Sequence, residues 1–208
     1  MKKVILFTLV AFFANVAISA NESQKVVGDA TKGKALSATC AACHGADGNS
    51  VNPVWPKLAG QGEAYLIKQL NDFRHDKRSE PTMTPMAKAI ASDEDVAHLA
   101  AYYSSQKVKT GTANKDKIAL GKAIYKGGVM SSGVAACAAC HGPSGNGNTA
   151  AKFPKIAGQH AQYTIGQLKT FKAAKRNNDT GKMMRNVALK MTDAEMDAVA
   201  EYIAGLHD

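Results

Sequence analysis

The chain has 208 residues, of which 45% are hydrophobic and 21% charged, and this composition excludes a disordered or fibrous protein. Aromatic residues make up only 6%, which is little material for a core, and four cysteines are too few for a disulfide-dense scaffold. The formal net charge is +9, an excess that by itself would also suit a nucleic-acid-binding protein.

Residues 1–20 have the pattern of a secretory signal peptide. Lys2 and Lys3 form a positive start, residues 4–17 are almost wholly apolar, and Ala20 is a small residue at the cleavage position. The apolar run is about 15 residues, shorter than the roughly 20 that a membrane-spanning helix needs. The sequence therefore predicts a periplasmic protein, soluble or peripherally attached to the membrane, with no nucleic-acid partner.

The rest of the chain is an internal duplication. Residues 40–45, CAACHG, recur as residues 137–142, and residues 56–61, PKLAGQ, recur as PKIAGQ at residues 154–159. The nearly constant spacing predicts two copies of one domain, at residues 21–108 and 117–208. The polar residues 109–116 between them, which include Gly111, are predicted to form a linker.

Each copy shows helical periodicity. In the first copy a helical stretch before Cys40 precedes a helix over residues 63–73 and another that Ser92 caps. The second copy repeats this order at residues 117–126, 161–172 and 192–206, and Thr192 with Glu195 fits a capping box. With no alternating strand pattern, the fold class is all-α. Connections this long in a small domain predict that the chain wraps around something.

All four cysteines lie in two CxxCH motifs, Cys40 and Cys43 before His44, and Cys137 and Cys140 before His141. Two thiols at this spacing can bind the two vinyl groups of one porphyrin, and the following histidine then ligates its iron. A thioredoxin-like dithiol, a structural zinc site and plain disulfides are the alternatives, but none requires a histidine after the second cysteine. The motifs predict two covalently attached haem c groups, which would also supply the apolar bulk that the aromatics do not.

Methionines are the candidates for the sixth ligand of each iron, because no other histidine recurs at the repeat spacing. Met83 precedes Ile90 by seven residues and Met184 precedes Met191 by seven, and both apolar residues lead into the last helix of their copy. This register favours Met83 and Met184, with Met86 and Met183 as alternatives. Met130 and Met196 are predicted to pack in the core.

These motifs and their order resemble class I c-type cytochromes, and the duplication resembles the dihaem cytochrome c4 family. The resemblance implies two tandem class I cytochrome c domains related by approximate twofold symmetry, each with a His/Met haem. It also implies that carbonyl groups of Pro56 and Pro154 accept the N–H of the proximal histidines. One departure is that Met83 lies nine residues before Ser92, whereas Met184 lies eight before Thr192. Gln61, Gln159, Tyr65 and Tyr163 could either bind haem propionates or pack.

The resemblance implies an electron carrier, not an enzyme, that takes electrons from a quinol-oxidising cytochrome bc complex and passes them to a haem–copper terminal oxidase. The alternatives are the dihaem cytochrome subunit of a larger redox enzyme, such as flavocytochrome sulfide dehydrogenase, and a dihaem peroxidase with a displaceable ligand. Residues 111–208 hold 13 basic and 7 acidic residues, a net +6, against a net +1 for residues 21–110. This asymmetry predicts a higher potential for the second haem and docking of the second domain on an acidic acceptor.

Overall fold

A computed structural model describes residues 26–207 of the chain. The predicted signal peptide, residues 1–20, lies outside the described residues. The described residues form ten α-helices and no β-strand, with only isolated bridges between single residues, so the all-α prediction is confirmed. Among these helices we find none with the length and apolar character that crossing a bilayer requires.

Each copy of the repeat contributes five helices. The first copy holds α1 (Ala30–Leu36), α2 (Ala38–His44), α3 (Glu63–Arg74), α4 (Met83–Lys88) and α5 (Asp93–Ser104), and the second holds α6 (Lys115–Gly127), α7 (Ala138–His141), α8 (Ala161–Lys172), α9 (Met183–Leu189) and α10 (Asp193–Gly205). Helix α6 begins two residues before the prediction, because the side chain of Asn114 caps it by accepting the N–H of Asp116 at 3.0 Å. Helices α4 and α9 were not predicted.

The predicted N-caps of the two last helices are confirmed. The hydroxyl oxygen of Ser92 accepts the N–H of Asp95 at 3.0 Å at the start of α5. At α10 the capping box is complete, since Thr192 Oγ1 accepts the N–H of Glu195 at 3.2 Å and the Glu195 carboxylate accepts the N–H of Thr192 at 2.7 Å. These bonds fix where each helix starts relative to the methionine segment before it.

The first and last helices of each copy cross at a glycine. A Cβ atom at Gly33 in α1 would lie 1.9 Å from the carbonyl oxygen of His98 in α5, and one at Gly121 in α6 would lie 2.1 Å from that of Ala198 in α10. Only a residue without a side chain allows the two backbones to come this close. Helices α2 and α7, which carry the CxxCH motifs, contact the first helix of their own copy, α1 and α6 respectively.

The two copies join through a reciprocal set of hydrogen bonds. The Gln159 side chain accepts the N–H of Lys57 and donates to the carbonyl of Lys57, both at 2.9 Å. The Gln61 side chain does the same to the N–H and carbonyl of Lys155, both at 2.8 Å. Because each bond has a counterpart in the other copy, the arrangement confirms the predicted approximate twofold symmetry.

The segment that joins the copies is held against the first domain. The Asn49 side chain donates to the carbonyl of Lys107 at 3.0 Å and accepts the N–H of Lys109 at 2.7 Å. The buried Lys57 ammonium donates to the carbonyl of Lys109 and, at 3.0 Å, to that of Gly158 in the second domain. Burial, together with the nearby charge of Lys109, lowers the pKa of Lys57. The domains are therefore connected by direct contacts in addition to the covalent chain.

The second domain carries a small hairpin that the first domain lacks. Val129 and Val134 exchange two backbone hydrogen bonds of 2.9 and 3.0 Å, and Gly128 and Gly133 adopt positive φ values of 70° and 69° beside them. The prediction that Met130 packs in the core is wrong, since it lies at the tip of this hairpin and is 97% exposed. Met196 is fully buried, as predicted.

Candidate haem-binding sites

The two CxxCH motifs form helical turns that end on a buried histidine. Cys40 and Cys43 lie in α2, which ends at His44, and Cys140 lies in α7, which ends at His141 and has Cys137 as its N-cap. Residues three apart on a helical turn lie on one face. Each pair of thiols is therefore directed to the same side, with the imidazole one residue further on, 5% exposed at His44 and 7% at His141.

Each histidine is oriented by a proline carbonyl, as predicted. The distance from Nδ1 to the carbonyl oxygen is 2.9 Å between His44 and Pro56, and 3.0 Å between His141 and Pro154. A carbonyl oxygen can only accept, so Nδ1 carries the proton and Nε2 keeps a lone pair for a metal. Burial lowers the pKa of both histidines, although the carbonyl opposes this, and the neutral ligand form is thereby favoured.

The thiols do not fit the alternatives of disulfide or zinc. No disulfide joins any of the four cysteines. Burial raises the pKa of Cys137 to about 11 and also raises that of Cys40, so these thiols keep their protons at neutral pH. Within residues 26–207, no three metal-binding side chains of the His, Cys, Asp or Glu type come together. Unpaired, protonated thiols beside an oriented imidazole fit addition to the vinyl groups of a porphyrin.

The methionine candidates lie on two short helices of matching register. Met83 is the first residue of α4 and Met184 the second residue of α9. Four residues further on, Ala87 and Ala188 are 1% and 0% exposed, and residues four apart share a helix face. This places Met83 and Met184 on the interior face and makes them the better placed candidates. The alternatives Met86 and Met183 are 39% and 41% exposed.

The one-residue departure in spacing does not affect these methionines. The N–H of Ile90 bonds to the carbonyl of Ala87, and that of Met191 to the carbonyl of Ala188, both at 3.1 Å. The two segments thus keep the same register up to Ile90 and Met191. The extra residue in the first domain is Ala91, which lies after that register and directly before the α5 cap.

A cluster of arginine side chains occupies the contact between α3 and α8. Arg78 and Arg176 share the side-chain oxygens of Gln69 and Gln167, through four hydrogen bonds of 2.7 to 3.1 Å. Arg176 also donates to the hydroxyl of Tyr65 at 2.9 Å. Although burial opposes it, the charges of Arg176 and Arg78 lower the pKa of Tyr65.

The two guanidinium groups of this cluster share acceptors, and the charge of Asp179, which itself pairs with Arg185, also acts on Arg176. Among the described residues neither Arg78 nor Arg176 forms an ion pair, and each instead lies over a phenylalanine ring, Phe73 at 4.6 Å and Phe171 at 4.5 Å. Two like charges at a partly buried contact call for an anion. The propionate carboxylates of haem would supply that charge, so the cluster fits the same cofactor as the motifs do.

The repeated glutamines and tyrosines all contact the opposite domain. Gln61 and Gln159 bind backbone groups of the opposite domain. Tyr65 and Tyr163 accept hydrogen bonds from an arginine of the opposite domain, Tyr163 at 3.4 Å from Arg78. The pair Lys77-Arg78 recurs in the sequence as Lys175-Arg176, and no prediction used this repeat. Its recurrence with the tyrosines and glutamines was the signal that could have identified the interface.

The residues present therefore fit a haem c in each domain, with His44 and His141 able to supply an imidazole nitrogen. Bound haem supplies a reversible one-electron couple between ferric and ferrous iron. The protein orients the imidazole through a proline carbonyl and contributes positive charge through the arginine cluster. Within residues 26–207 we find no constellation of nucleophile, base and orienting group beside either motif.

Comparisons with known proteins agree with this reading. The family model described as cytochrome c matches the chain twice, at residues 30–107 and 118–207. Cytochrome c4 of Pseudomonas aeruginosa is 46% identical over 181 residues, which cover 86% of this chain and 90% of the relative. A thiosulfate dehydrogenase electron acceptor of Stutzerimonas stutzeri is 37% identical, covering 94% of this chain and 91% of its own.

A solved structure agrees at the level of the fold. The crystal structure of reduced recombinant cytochrome c4 from Pseudomonas stutzeri superposes with a TM-score of 0.84 at 44% identity, covering 87% of this chain and all of that one. Both domains, their order and their CxxCH motifs are thus accounted for by one family. The chain belongs to the cytochrome c family, as a dihaem cytochrome c4 with two covalently bound haem c groups.

Proposed function

We propose that the protein carries single electrons in the periplasm, from a quinol-oxidising cytochrome bc complex to a haem–copper terminal oxidase. The observation that carries this proposal is the pair of equivalent, buried imidazoles, His44 and His141, each oriented by a proline carbonyl in two domains that contact each other directly. Two redox centres fixed relative to each other suit transfer of electrons through the molecule.

The sixth ligands in this proposal are Met83 and Met184. Their place on the interior face of α4 and α9 supports them over the more exposed Met86 and Met183. With imidazole and thioether both bound, neither iron keeps an open position for a substrate, which favours a carrier over a peroxidase. A thioether ligand also raises the reduction potential.

The surface charges of the two domains support docking of the second domain on an acidic acceptor. In the first domain Lys32, Lys88 and Arg74 each pair with a carboxylate, and among the described residues the exposed Lys34, Lys77 and Lys107 do not. In the second domain many exposed lysines have no carboxylate partner among the described residues: Lys115, Lys122, Lys126, Lys152, Lys172, Lys175, Lys182 and Lys190. The larger number of unpaired cations on the second domain gives a direction to electrostatic encounter.

The same charge asymmetry supports a higher potential at the second haem. Positive charge disfavours ferric iron, which carries one charge more than ferrous iron, so the domain of net +6 should hold its electron more tightly. Screening over about 8 Å at physiological salt limits the effect of surface charges to tens of millivolts. Electrons would then enter at the first domain and leave from the second.

The test is the oxidation rate of the reduced holoprotein by membranes that contain the terminal oxidase. Lys182→Glu and Lys190→Glu, on either side of α9, should each slow the reaction and weaken its dependence on ionic strength. Lys77→Glu, an exposed lysine of the first domain, is the matched control and should have a smaller effect. Equal rates in all three variants, or rates that ionic strength does not change, would refute the docking proposal.

A second candidate is the electron acceptor of a sulfur-oxidising enzyme. It is favoured by the similarity to proteins described as thiosulfate dehydrogenase electron acceptors, at 37% and 39% identity. Rapid reduction of the oxidised protein by thiosulfate and a thiosulfate dehydrogenase, with slow reduction by the cytochrome bc complex, would select this candidate. The reverse pattern would select the respiratory carrier.

A further inference from the structure

The hydroxyl group of Tyr103 is a buried polar group that the structure leaves without a hydrogen bond. Tyr103 lies in α5 and is 3% exposed. In the part of the chain that the structure describes, its oxygen is the single buried side-chain polar atom with no hydrogen-bond partner. Buried hydroxyl groups are normally paired because an unpaired one is costly, so this one requires an explanation.

The surroundings of Tyr103 belong to the haem-attaching part of the first domain. Cys40 packs against the core cluster that contains Tyr103. Burial, together with the effect of Cys40 and opposed by Ser37, raises the pKa of Tyr103. The Ser37 hydroxyl already donates to the carbonyl of Lys34 at 2.8 Å. A Cβ atom at Gly48, in the loop after His44, would lie 2.8 Å from the Tyr103 ring.

In the second domain the tyrosine that packs with the first motif cysteine comes from a different helix. The N–H of Gly60 bonds to the carbonyl of Tyr103, and the N–H of Gly158 bonds to the carbonyl of Ile203, at 2.9 and 3.0 Å, so Ile203 occupies the position of Tyr103. The aromatic ring beside Cys137 comes from Tyr125 in α6. Its ring centroid lies 5.4 Å from that of Tyr202 in a tilted contact, and the Tyr103 centroid lies 5.1 Å from that of Tyr102 in the same way.

The two tyrosines differ in what their hydroxyl groups bind. The Tyr125 hydroxyl donates its proton to the carbonyl of Gly142 at 2.6 Å, so it cannot donate to Cys137 as well. In the first domain the neighbouring carbonyl, that of Ala46, is taken by Tyr102, also at 2.6 Å. Tyr103 is thus left without a carbonyl acceptor, in the core cluster against which Cys40 packs.

We propose that the Tyr103 hydroxyl donates a hydrogen bond to the Cys40 sulfur once haem is attached there, and that it tunes the first haem alone. Attachment moves the thiol proton to the vinyl group, and the thioether that remains can only accept. A donor that directs its positive end at the haem environment favours the reduced state, so Tyr103 raises the potential of the first haem. Tyr103 is a positioning residue, and this inference rests on haem attachment at Cys40 but on no particular redox partner.

The test is Tyr103→Phe in the full-length dihaem protein, with the potential of each haem measured by redox titration. Each haem is assigned to its domain by NMR contacts between haem protons and residues of α5 or α10. At a fixed ambient potential, the ratio of reduced to oxidised first haem should fall about two- to tenfold, the size of one neutral hydrogen bond. The second haem should not change.

Two controls keep the result interpretable. Tyr125→Phe removes a hydroxyl that bonds the carbonyl of Gly142, in the core cluster against which Cys137 packs, and it should lower stability without changing either potential. Ser37→Ala removes the other neighbour of the Tyr103 hydroxyl, and it should leave the first potential unchanged. Unchanged potentials in Tyr103→Phe, an equal shift of both haems, or an equal shift in Ser37→Ala would overturn the proposal. Because the titration uses no partner protein, failure here leaves the proposed carrier function untouched.

Discussion

Replacing Gln159 by leucine tests whether the reciprocal glutamine bonds hold the two domains together. The Gln159 side chain is 9% exposed and bonds the N–H and carbonyl of Lys57, which is 8% exposed, so both of these groups are shielded from water. Leucine has a similar volume but can satisfy neither. At about 1–3 kcal/mol for each buried group left unpaired, the substitution should cost about 2–6 kcal/mol of interdomain contact.

The assay is unfolding of the holoprotein in denaturant, combined with limited proteolysis of the joining segment. Gln159→Leu should lower the unfolding midpoint and expose residues 107–114 to protease, since the domains then separate more readily. The equivalent Gln61→Leu should have a smaller effect, because Lys155 is only partly buried and water can replace the lost bonds. Gln162→Leu on the exposed face of α8 is the control. If Gln159→Leu unfolds and is cleaved like this control, the glutamine bonds do not hold the domains together.

Three further predictions concern the ligands, the helix crossings and the interface at acidic pH. Met83→His and Met184→His should each strongly lower the potential of one haem, because axial ligands set potentials over roughly 0.8 V, and titration should show no such change for the alternatives Met86→His and Met183→His. Gly33→Ala should destabilise the protein by more than about 3 kcal/mol in thermal unfolding, because the added Cβ meets the backbone of α5. Gly166→Ala is the control: a Cβ there meets nothing within 4 Å, and the substitution should stabilise the protein by about 0.5–1 kcal/mol. Burial, aided by the charge of Lys57 and opposed by the Ser50 carbonyl, lowers the pKa of His160 below its ordinary 6.5. The unfolded state therefore takes up the proton first, and the free energy of unfolding should fall as the pH drops below 6.5. The pH profile of stability should be flatter in His160→Gln.

The haem-attachment chemistry of the CxxCH motifs could be predicted from the sequence, whereas the contacts between the two copies could not. The hydrogen bond between His44 and Pro56 was implied by the family resemblance, because Pro56 stands at the matching place after the motif and recurs as Pro154. Helices α4 and α9 were missed because six or seven residues are too few to show a repeating apolar pattern. Met130 was assigned to the core from its side chain alone, whereas the tight hairpin that exposes it depends on its backbone.

Contacts between residues far apart in the sequence could not be predicted by aligning the two copies. Aligning the copies pairs Tyr102 with Tyr202, so Tyr103 falls opposite Ile203 and gives no sign of a partner. That Tyr125, from the first helix of the second copy, fills this volume can be seen only when α6 packs on α10. Likewise a single copy does not reveal which of its polar faces meets the other copy. The recurrence marks these glutamines and arginines as a set, but which group each of them contacts required the assembled structure.

The two domains contact each other through equivalent surfaces. Because both domains belong to one chain, the residues at equivalent positions of the two surfaces can differ. In a symmetric pair of identical chains, a residue that meets its partner must suit both sides at once. Here Asn178 donates to Asp72 at 2.6 Å, while its counterpart Glu80 turns back to accept the N–H of Thr82 and Met83 at 2.9 and 2.7 Å. A glutamate in place of Asn178 would bring two carboxylates together. Joining the copies in one chain allows an amide on one side and an acid on the other, which two separate identical subunits could not have.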